Sequence, residues 1–571
     1  MKYYCNPINV NYRYQFNKNL ENDKIYINRE AADPSMICFK GTYYIFASMN
    51  LSVWVSEDLV SWQVYKLPEN LPLYGYAPDV RVCGEYVYFC ASESGEKCNY
   101  YRTKDIINGP YEEIEGTFGF VDPNLFFDED GKVYFYWGCS DENPIWGTEL
   151  DSETMKPIGE KKALIYGNPF ERGYERKGTD HSEAPEKKEP EGTYTKMPWI
   201  EGAWMNKYQG KYYLQYACPG TELNGYGDGV YISDTPLGPF EPAENNPYSY
   251  HPGGFMPGAG HGSTMCDKQG SFWHTSTMQI SVNHMFERRV GIWKAGFDQD
   301  GELFCNQRYG DWPIAVDEKT ENNLWKAPDW YLLSYKKKIR ASSEMTGKEA
   351  ALAVNEDATN WWQSKTAKES VLELDLEKVY DVRAVQINFA DDKIDIPIPG
   401  EIQGARFIDG EDHVTRWKLE GSANGCDYEV MEDKSETDTD LPHDLVVRET
   451  GIQVRFLRLT IYEVPYGQKP CVSGFRVFGI GDGEKPGETE FTVQRSADGL
   501  DMIVSAKAEN ATGYNILWGH RKEKLYHSYL VYGEKLEEKR IGALVKESGY
   551  YVRVDTFNEN GITEGTVIKT C

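Results

Sequence analysis

The sequence has no run approaching eighteen consecutive apolar residues, no C-x-x-C pair, and far fewer cations than acids. The first absence excludes a transmembrane helix. The second, with twelve cysteines scattered from Cys5 to Cys571, argues against a dense disulfide framework, and the thiols are expected to be free, as in a reducing compartment. The third leaves a formal net charge of -29, which argues against nucleic acid or an anionic membrane as partner, because phosphate binding needs clustered Lys and Arg. A neutral ligand such as a sugar is compatible. The opening stretch M-K-Y-Y-C-N-P-I-N-V-N-Y-R-Y lacks the apolar centre of a secretory leader. The chain is therefore expected to be cytoplasmic, with secretion the alternative if a leader has been trimmed.

What is abundant is aromatic. The chain is 14% aromatic, with 41 Tyr and 15 Trp, and its 53 Gly and 28 Pro break it often. That combination favours many short strands over long helices. At 571 residues the chain exceeds one ordinary domain, and an all-β protein of several domains is expected.

A glycine turn followed by an aromatic-rich strand recurs five times: G-T-Y-Y-I-F-A-S from Gly41, G-E-Y-V-Y-F-C-A-S from Gly84, G-K-V-Y-F-Y-W-G from Gly131, G-K-Y-Y-L-Q-Y-A from Gly210 and G-S-F-W-H-T-S-T from Gly270. Edge-like units such as S-E-D-L-V-S-W follow several of them. Five such pairs predict five radially arranged four-stranded blades, a five-bladed β-propeller. Before the five turns stand A-A-D-P-S-M with Asp33, Y-A-P-D-V with Asp79, F-V-D-P-N-L with Asp122, W-I-E-G-A-W with Glu201 and G-A-G-H-G-S with His261. Inner strands of a propeller line its channel, so Asp33, Asp122 and Glu201 are expected to converge at one mouth.

Two carboxyl groups flanking a glycosidic bond suffice for its hydrolysis when one is protonated and the other ionised, and a third acid helps keep the first protonated. Aromatic residues near these segments, Trp54, Phe120, Trp146, Trp199 and Trp204, are natural platforms for sugar rings, blade core being the competing assignment for each.

Taken in order, A-D-P-S, A-P-D-V, V-D-P-N-L-F-F-D-E-D-G-K-V-Y, I-E-G-A-W and G-H-G-S resemble glycoside hydrolase family 43 over about residues 1–320. The resemblance implies an inverting enzyme with Asp33 as general base, Glu201 as general acid and Asp122 tuning and orienting the acid. It implies that His261 is a channel histidine, with a calcium ion on the propeller axis reached through water, and that an arginine of the last blade lies near the substrate. Arg288 and Arg289 both qualify, strand alternation lets only one face the channel, and Arg288 is preferred. Trp54, Asp79, Phe120, Trp146 and Trp204 complete the expected substrate-binding set, and no organic cofactor is implied. E-G-A-W stands where E-G-P is commoner in the family. The charged segment 171–196 reads as a solvated loop, or as a pocket wall with His181 or Glu183 facing in.

Beyond a connector at 321–338, residues 339–483 resemble a discoidin or coagulation-factor type C module, a jelly-roll β-sandwich. Many relatives of that module bind sugars, and its loop at Asn355, Glu356 and Asp357 could hold a second calcium. Trp361 and Trp362 are assigned to its core. Residues 488–571 resemble a fibronectin type III sandwich, expected to buttress the propeller or form a homo-oligomer contact. The expectation is an exo-glycosidase that removes terminal β-D-xylose or α-L-arabinofuranose from plant cell-wall oligosaccharides. An endo-arabinanase, an exo-galactanase and a propeller that binds carbohydrate without turnover are the alternatives.

Overall fold

The computed structural model describes residues 1–93, 97–188, 193–316 and 324–570. Five antiparallel four-stranded sheets follow one another along the chain, each drawn from one contiguous stretch. Their inner strands are Ala32–Phe39, Tyr76–Cys83, Asn124–Phe127, Glu201–Tyr208 and Gly260–Cys266, and they contact one another in ring order, the fifth closing on the first. This is the five-bladed propeller. The inner hairpin of each blade turns at Gly41, Gly84, Gly131, Gly210 or Gly270, all at positive φ, a conformation that costs glycine little.

The propeller has no single core; its apolar residues fill the spaces between blades. Ile37, Phe46, Val80 and Phe89 pack between the first two blades, and Tyr88, Cys90, Leu125 and Phe135 between the second and third. The ring is closed outside the blades, where Lys2–Tyr4 pairs with Ile314–Val316.

Two further all-β units follow. One is a large sheet whose long strands Ser370–Phe389, His443–Glu463 and Cys471–Ile480 lie side by side. The other is a pair of sheets, three- and five-stranded, running from Glu490 to Lys569. Their interior is continuous with that of the third and fourth blades: Met502, Ile516 and Trp518 share a cluster with Tyr136, Leu214 and Tyr216. The expected division at residues 320 and 321 falls within 317–323, outside the described residues. The units are joined elsewhere as well, since the hairpin Arg13–Lys18 and Ile25–Glu30 forms a three-stranded sheet with Arg406–Ile408.

The segment 171–196 divides: residues 182–188 and 193 are largely exposed, as a solvated loop would be, whereas 171–181 is mostly buried and is no pocket wall. The buried stretch is the dock for the last unit: Gly173 N–H donates to Leu544 O at 2.7 Å, Arg176 pairs with Asp501, and Asp180 accepts from Tyr529 Oη and Lys539 Nζ at 2.6 and 2.8 Å. His181 is buried within it, bonded to Arg176 O and Tyr250 Oη. Burial holds its pKa down to about 4, so it serves as a neutral strut and not as a pocket residue. Glu183 is exposed.

Candidate active site

Each inner strand carries, or in the third blade is closely preceded by, one residue at positive φ: Asp33, Ala77, Asp122, Gly202 and His261. The first, second, fourth and fifth of these sit at a break in register with the neighbouring strand, between Ala32 and Ser35, Tyr76 and Asp79, Glu201 and Trp204, and Gly260 and Ser263. Such bulges re-aim side chains. Left-handed backbone is uncommon for non-glycine residues, and Asp is among the types that tolerate it best. The preceding blade anchors the turn. Asp33 N–H donates to Thr277 Oγ1 at 2.9 Å, Ala77 N–H to Ser48 Oγ at 2.7 Å, Asp122 N–H to Ser92 Oγ at 2.8 Å, and His261 N–H to Asp228 Oδ1 at 2.7 Å.

Three ionisable side chains are thereby gathered at the channel. His261 Nδ1 lies 3.4 Å from Asp33 Oδ1 and 3.8 Å from Asp122 Oδ2. Asp33 also accepts from Ser48 Oγ at 2.8 Å and pairs with Arg288, whose Nη1 and Nη2 stand 3.2 and 3.4 Å from its two oxygens. Arg288 in turn binds Glu30 at 2.6 Å. Burial alone would discharge His261, but Asp33, Asp122, Glu201 and Asp228 outweigh it and raise its pKa. Burial raises the Asp122 pKa to about 7, with Glu201 and Asp33 adding to the effect and His261 opposing it.

Glu201 precedes the positive-φ glycine of its blade and is only half-buried. Tyr226 Oη donates to Glu201 Oε1, and Cys139 Sγ lies 3.2 Å from Oε2. Cys139, Asp122 and Glu201 bring one ligand atom each within 4.8 Å of one another, so the thiol sits between the two carboxyl groups. Cys139 also lines a cavity of about 710 Å³ with Phe120, Trp137, Trp146 and Lys161. A larger cavity of about 820 Å³ lies elsewhere, between the N-terminal strands and the second unit.

The structure therefore brings together Asp33, Asp122, Glu201, His261 and Arg288. Arg289 points the other way, donating to His443 Nε2 at 2.9 Å. Trp146 is half-buried beside Cys139, and Phe120, although 3% exposed, lines the same cavity. Trp199 is 40% exposed. The other expected platforms need correction. Trp54 is 1% exposed, packed with Tyr12 and bonded through Nε1 to Asn11. Trp204 is 4% exposed, lies under Arg81 and donates to Thr264 O. Neither lines the cavity beside Cys139.

Asp79 is corrected too. It is two residues beyond Ala77, the true counterpart of Asp33 and Asp122, and it accepts from Asn124 Nδ2 at 2.8 Å and Leu125 N–H at 2.6 Å. The same position in other blades also stitches the ring: Asn124 Oδ1 accepts from Met205 N–H and Ser263 Oγ from Met36 N–H, both at 2.9 Å.

Direct ligation of calcium finds few free oxygens at either expected place, and an ion beside His261 would be held through water. Calcium takes six to eight oxygen ligands, whereas the described residues offer a ring nitrogen at His261, and Asp33 and Asp122 face that ring. In the second unit both oxygens of Glu356 are engaged by Arg476, at 3.0 and 3.1 Å. Asp357 is bonded to Thr359 and Asn360. Trp361 and Trp362 are buried.

Sequence reasoning missed Cys139, Tyr226 and Glu30. It also missed the anchoring hydroxyls, although a signal for them stood in the repeat: Ser48, Ser92 and Thr277 each end a quoted hairpin.

Residues 24–303 match the model of glycosyl hydrolases family 43 and form a domain of that family. A xylosidase/arabinosidase of Bacteroides ovatus is 24% identical over 256 residues, 37% of this chain and 75% of the relative. A beta-xylosidase of Xylanibacter ruminicola is 31% identical over 189 residues, 26% and 53% of the two chains. An extracellular endo-alpha-(1->5)-L-arabinanase of Bacillus subtilis is 27% identical over 266 residues, 38% and 50%. This chain thus spans about half the length of the last two.

Proposed function

We propose that the protein is an inverting exo-glycosidase that removes a terminal pentose, β-D-xylose or α-L-arabinofuranose, from plant cell-wall oligosaccharides. The observation that carries this reading is the convergence of Asp33, Asp122 and Glu201, from three blades, around His261. Asp33 is fixed by Arg288 and Ser48 with its carboxylate turned to the channel, and it activates the attacking water. Glu201, half-exposed and paired with Tyr226, protonates the leaving oxygen. Asp122 stands beside the acid, with the Cys139 thiol close to both. Inversion needs one acid and one base on opposite faces of the sugar, with a water between the sugar and the base.

The pentose is supported by the activities of two relatives, a xylosidase/arabinosidase and a beta-xylosidase. Exo action separates this reading from the endo-arabinanase of Bacillus subtilis. Action inside the cell, on imported oligosaccharides, belongs to the same proposal and is supported by the scattered cysteines, which form no disulfide framework among the described residues. No step is assigned to calcium, which, if bound on the axis, would act through water behind His261.

Hydrolysis of nitrophenyl β-D-xylopyranoside, α-L-arabinofuranoside and β-D-galactopyranoside, with Asp33→Ala protein as the blank, tests the reading. Release from a pentoside above the blank is expected. Release from the galactoside alone would replace the pentose, and failure on these and on xylo- and arabino-oligosaccharides would leave a binding propeller.

A further inference from the structure

The second unit reaches the propeller beside the channel position of the second blade. Its arm from residue 391 to 408 crosses to the propeller: Arg406–Ile408 pairs with the N-terminal strand Arg13–Lys18. Phe407 and Ile396 pack around Phe16 and Ile27. The loop ahead of Arg288 is tied to the same arm, since Asn283 Nδ2 donates to Asp391 O at 2.9 Å and Lys393 N–H donates to Asn283 Oδ1 at 3.3 Å.

At the end of the arm the guanidinium of Arg406 lies 4.2 Å from the centre of the Tyr76 ring. Tyr76 immediately precedes Ala77, the channel position of the second blade, and its ring is also 5.8 Å from the guanidinium of Arg288, the partner of Asp33. The Tyr76 hydroxyl is buried without a protein partner. Arg406 is half-buried, meets Met49 Sδ at 3.1 Å, and has no carboxylate within ion-pair distance among the described residues. It bears electrostatically on Glu30, Tyr76 and His284. Arg288 is spent on two carboxylates; Arg406 keeps donors to spare.

We propose that Arg406, carried on the arm of the second unit, is a specificity-determining residue that, with the Tyr76 hydroxyl, hydrogen-bonds hydroxyl groups of the neutral sugar held on the Asp33 side of the pocket. The second unit is then part of the substrate site and not a remote module. The inference rests on the glycosidase reading for its substrate.

The test is steady-state kinetics of the full chain, Arg406→Ala and Arg406→Lys, on the nitrophenyl pentoside that the parent protein cleaves, with melting temperatures alongside. A lost charged hydrogen bond predicts a KM increase of about tenfold or more in Arg406→Ala. The kcat stays nearly level, the pH profile is unshifted, and Arg406→Lys lies in between. An unchanged KM in Arg406→Ala would overturn the proposal. So would a fall in kcat and melting temperature that lysine does not relieve, since that marks a purely structural arm. If the parent protein cleaves no glycoside, the glycosidase reading fails separately, and calorimetric titration with D-xylose and L-arabinose decides for Arg406. Weaker binding by Arg406→Ala supports it; equal binding, or none by the parent, overturns it.

Discussion

Arg288 holds Asp33 in a two-pronged grip, Nη1 to Oδ1 at 3.2 Å and Nη2 to Oδ2 at 3.4 Å, while binding Glu30 with the same guanidinium. All three side chains are buried. Arg288→Ala would strand two carboxylates, and breaking a buried pair from one side costs about 3–5 kcal/mol. Urea unfolding should show a loss of that order, with kcat reduced as well. Arg288→Lys keeps the charge without the fork geometry and should recover stability more fully than turnover. A variant as stable and active as the parent would refute this role.

The proposed acid and base differ in what a good leaving group can repair. Loss of either group is expected to cost about 10²–10⁴-fold on an unactivated xyloside or arabinoside. With a dinitrophenyl leaving group, which departs without protonation, Glu201→Gln should recover most of its rate and Asp33→Ala should not. If both variants recover, or neither does, the two roles are misassigned.

Asp122, raised to about 7 chiefly by burial, holds its proton more firmly in the native protein than in the unfolded chain. Its stabilising contribution is full below its ordinary unfolded value and is lost as pH rises through about 7. Asp122→Asn should flatten that part of the stability profile, read as the difference in unfolding free energy between the two proteins from pH 4 to pH 8. A stability profile as steep in Asp122→Asn as in the parent would refute this reading.

The five blades were legible because the glycine turn and aromatic strand repeat in the chain itself. The place of Asp33 and Asp122 at the channel was legible because each precedes a proline at an equivalent position, and that of Glu201 because it stands before the fourth hairpin. The second blade was misaligned by two residues: its ionisable group, Asp79, drew attention away from Ala77, which also precedes a proline and is the residue at positive φ. Proline phase was the better guide than charge. Trp54 and Trp204 were misplaced for a different reason. Whether an aromatic ring in a blade faces the channel or the neighbouring blade depends on the bulge and on packing across blades, which a single strand does not encode. Cys139 and Arg406 lie further still from local pattern, one meeting the acid across a blade boundary and the other arriving from a different unit.

The correction at Asp79 makes its own prediction. Asp79 accepts from a side-chain amide and a backbone N–H of the third blade, and in the second blade it occupies the position from which Asn124 and Ser263 stitch theirs to the next. Asp79→Ala leaves those two donors buried and unpaired, at about 1–3 kcal/mol each. Trp54→Ala, deep among Tyr12, Met36 and Ile45, should cost about 3–5 kcal/mol by opening a cavity. Both variants should melt earlier, yet at a temperature where they remain folded their KM for the pentoside should match the parent's, because neither side chain meets the sugar. A raised KM in folded Trp54→Ala would restore it as a platform, and a raised KM in folded Asp79→Ala would return Asp79 to the pocket.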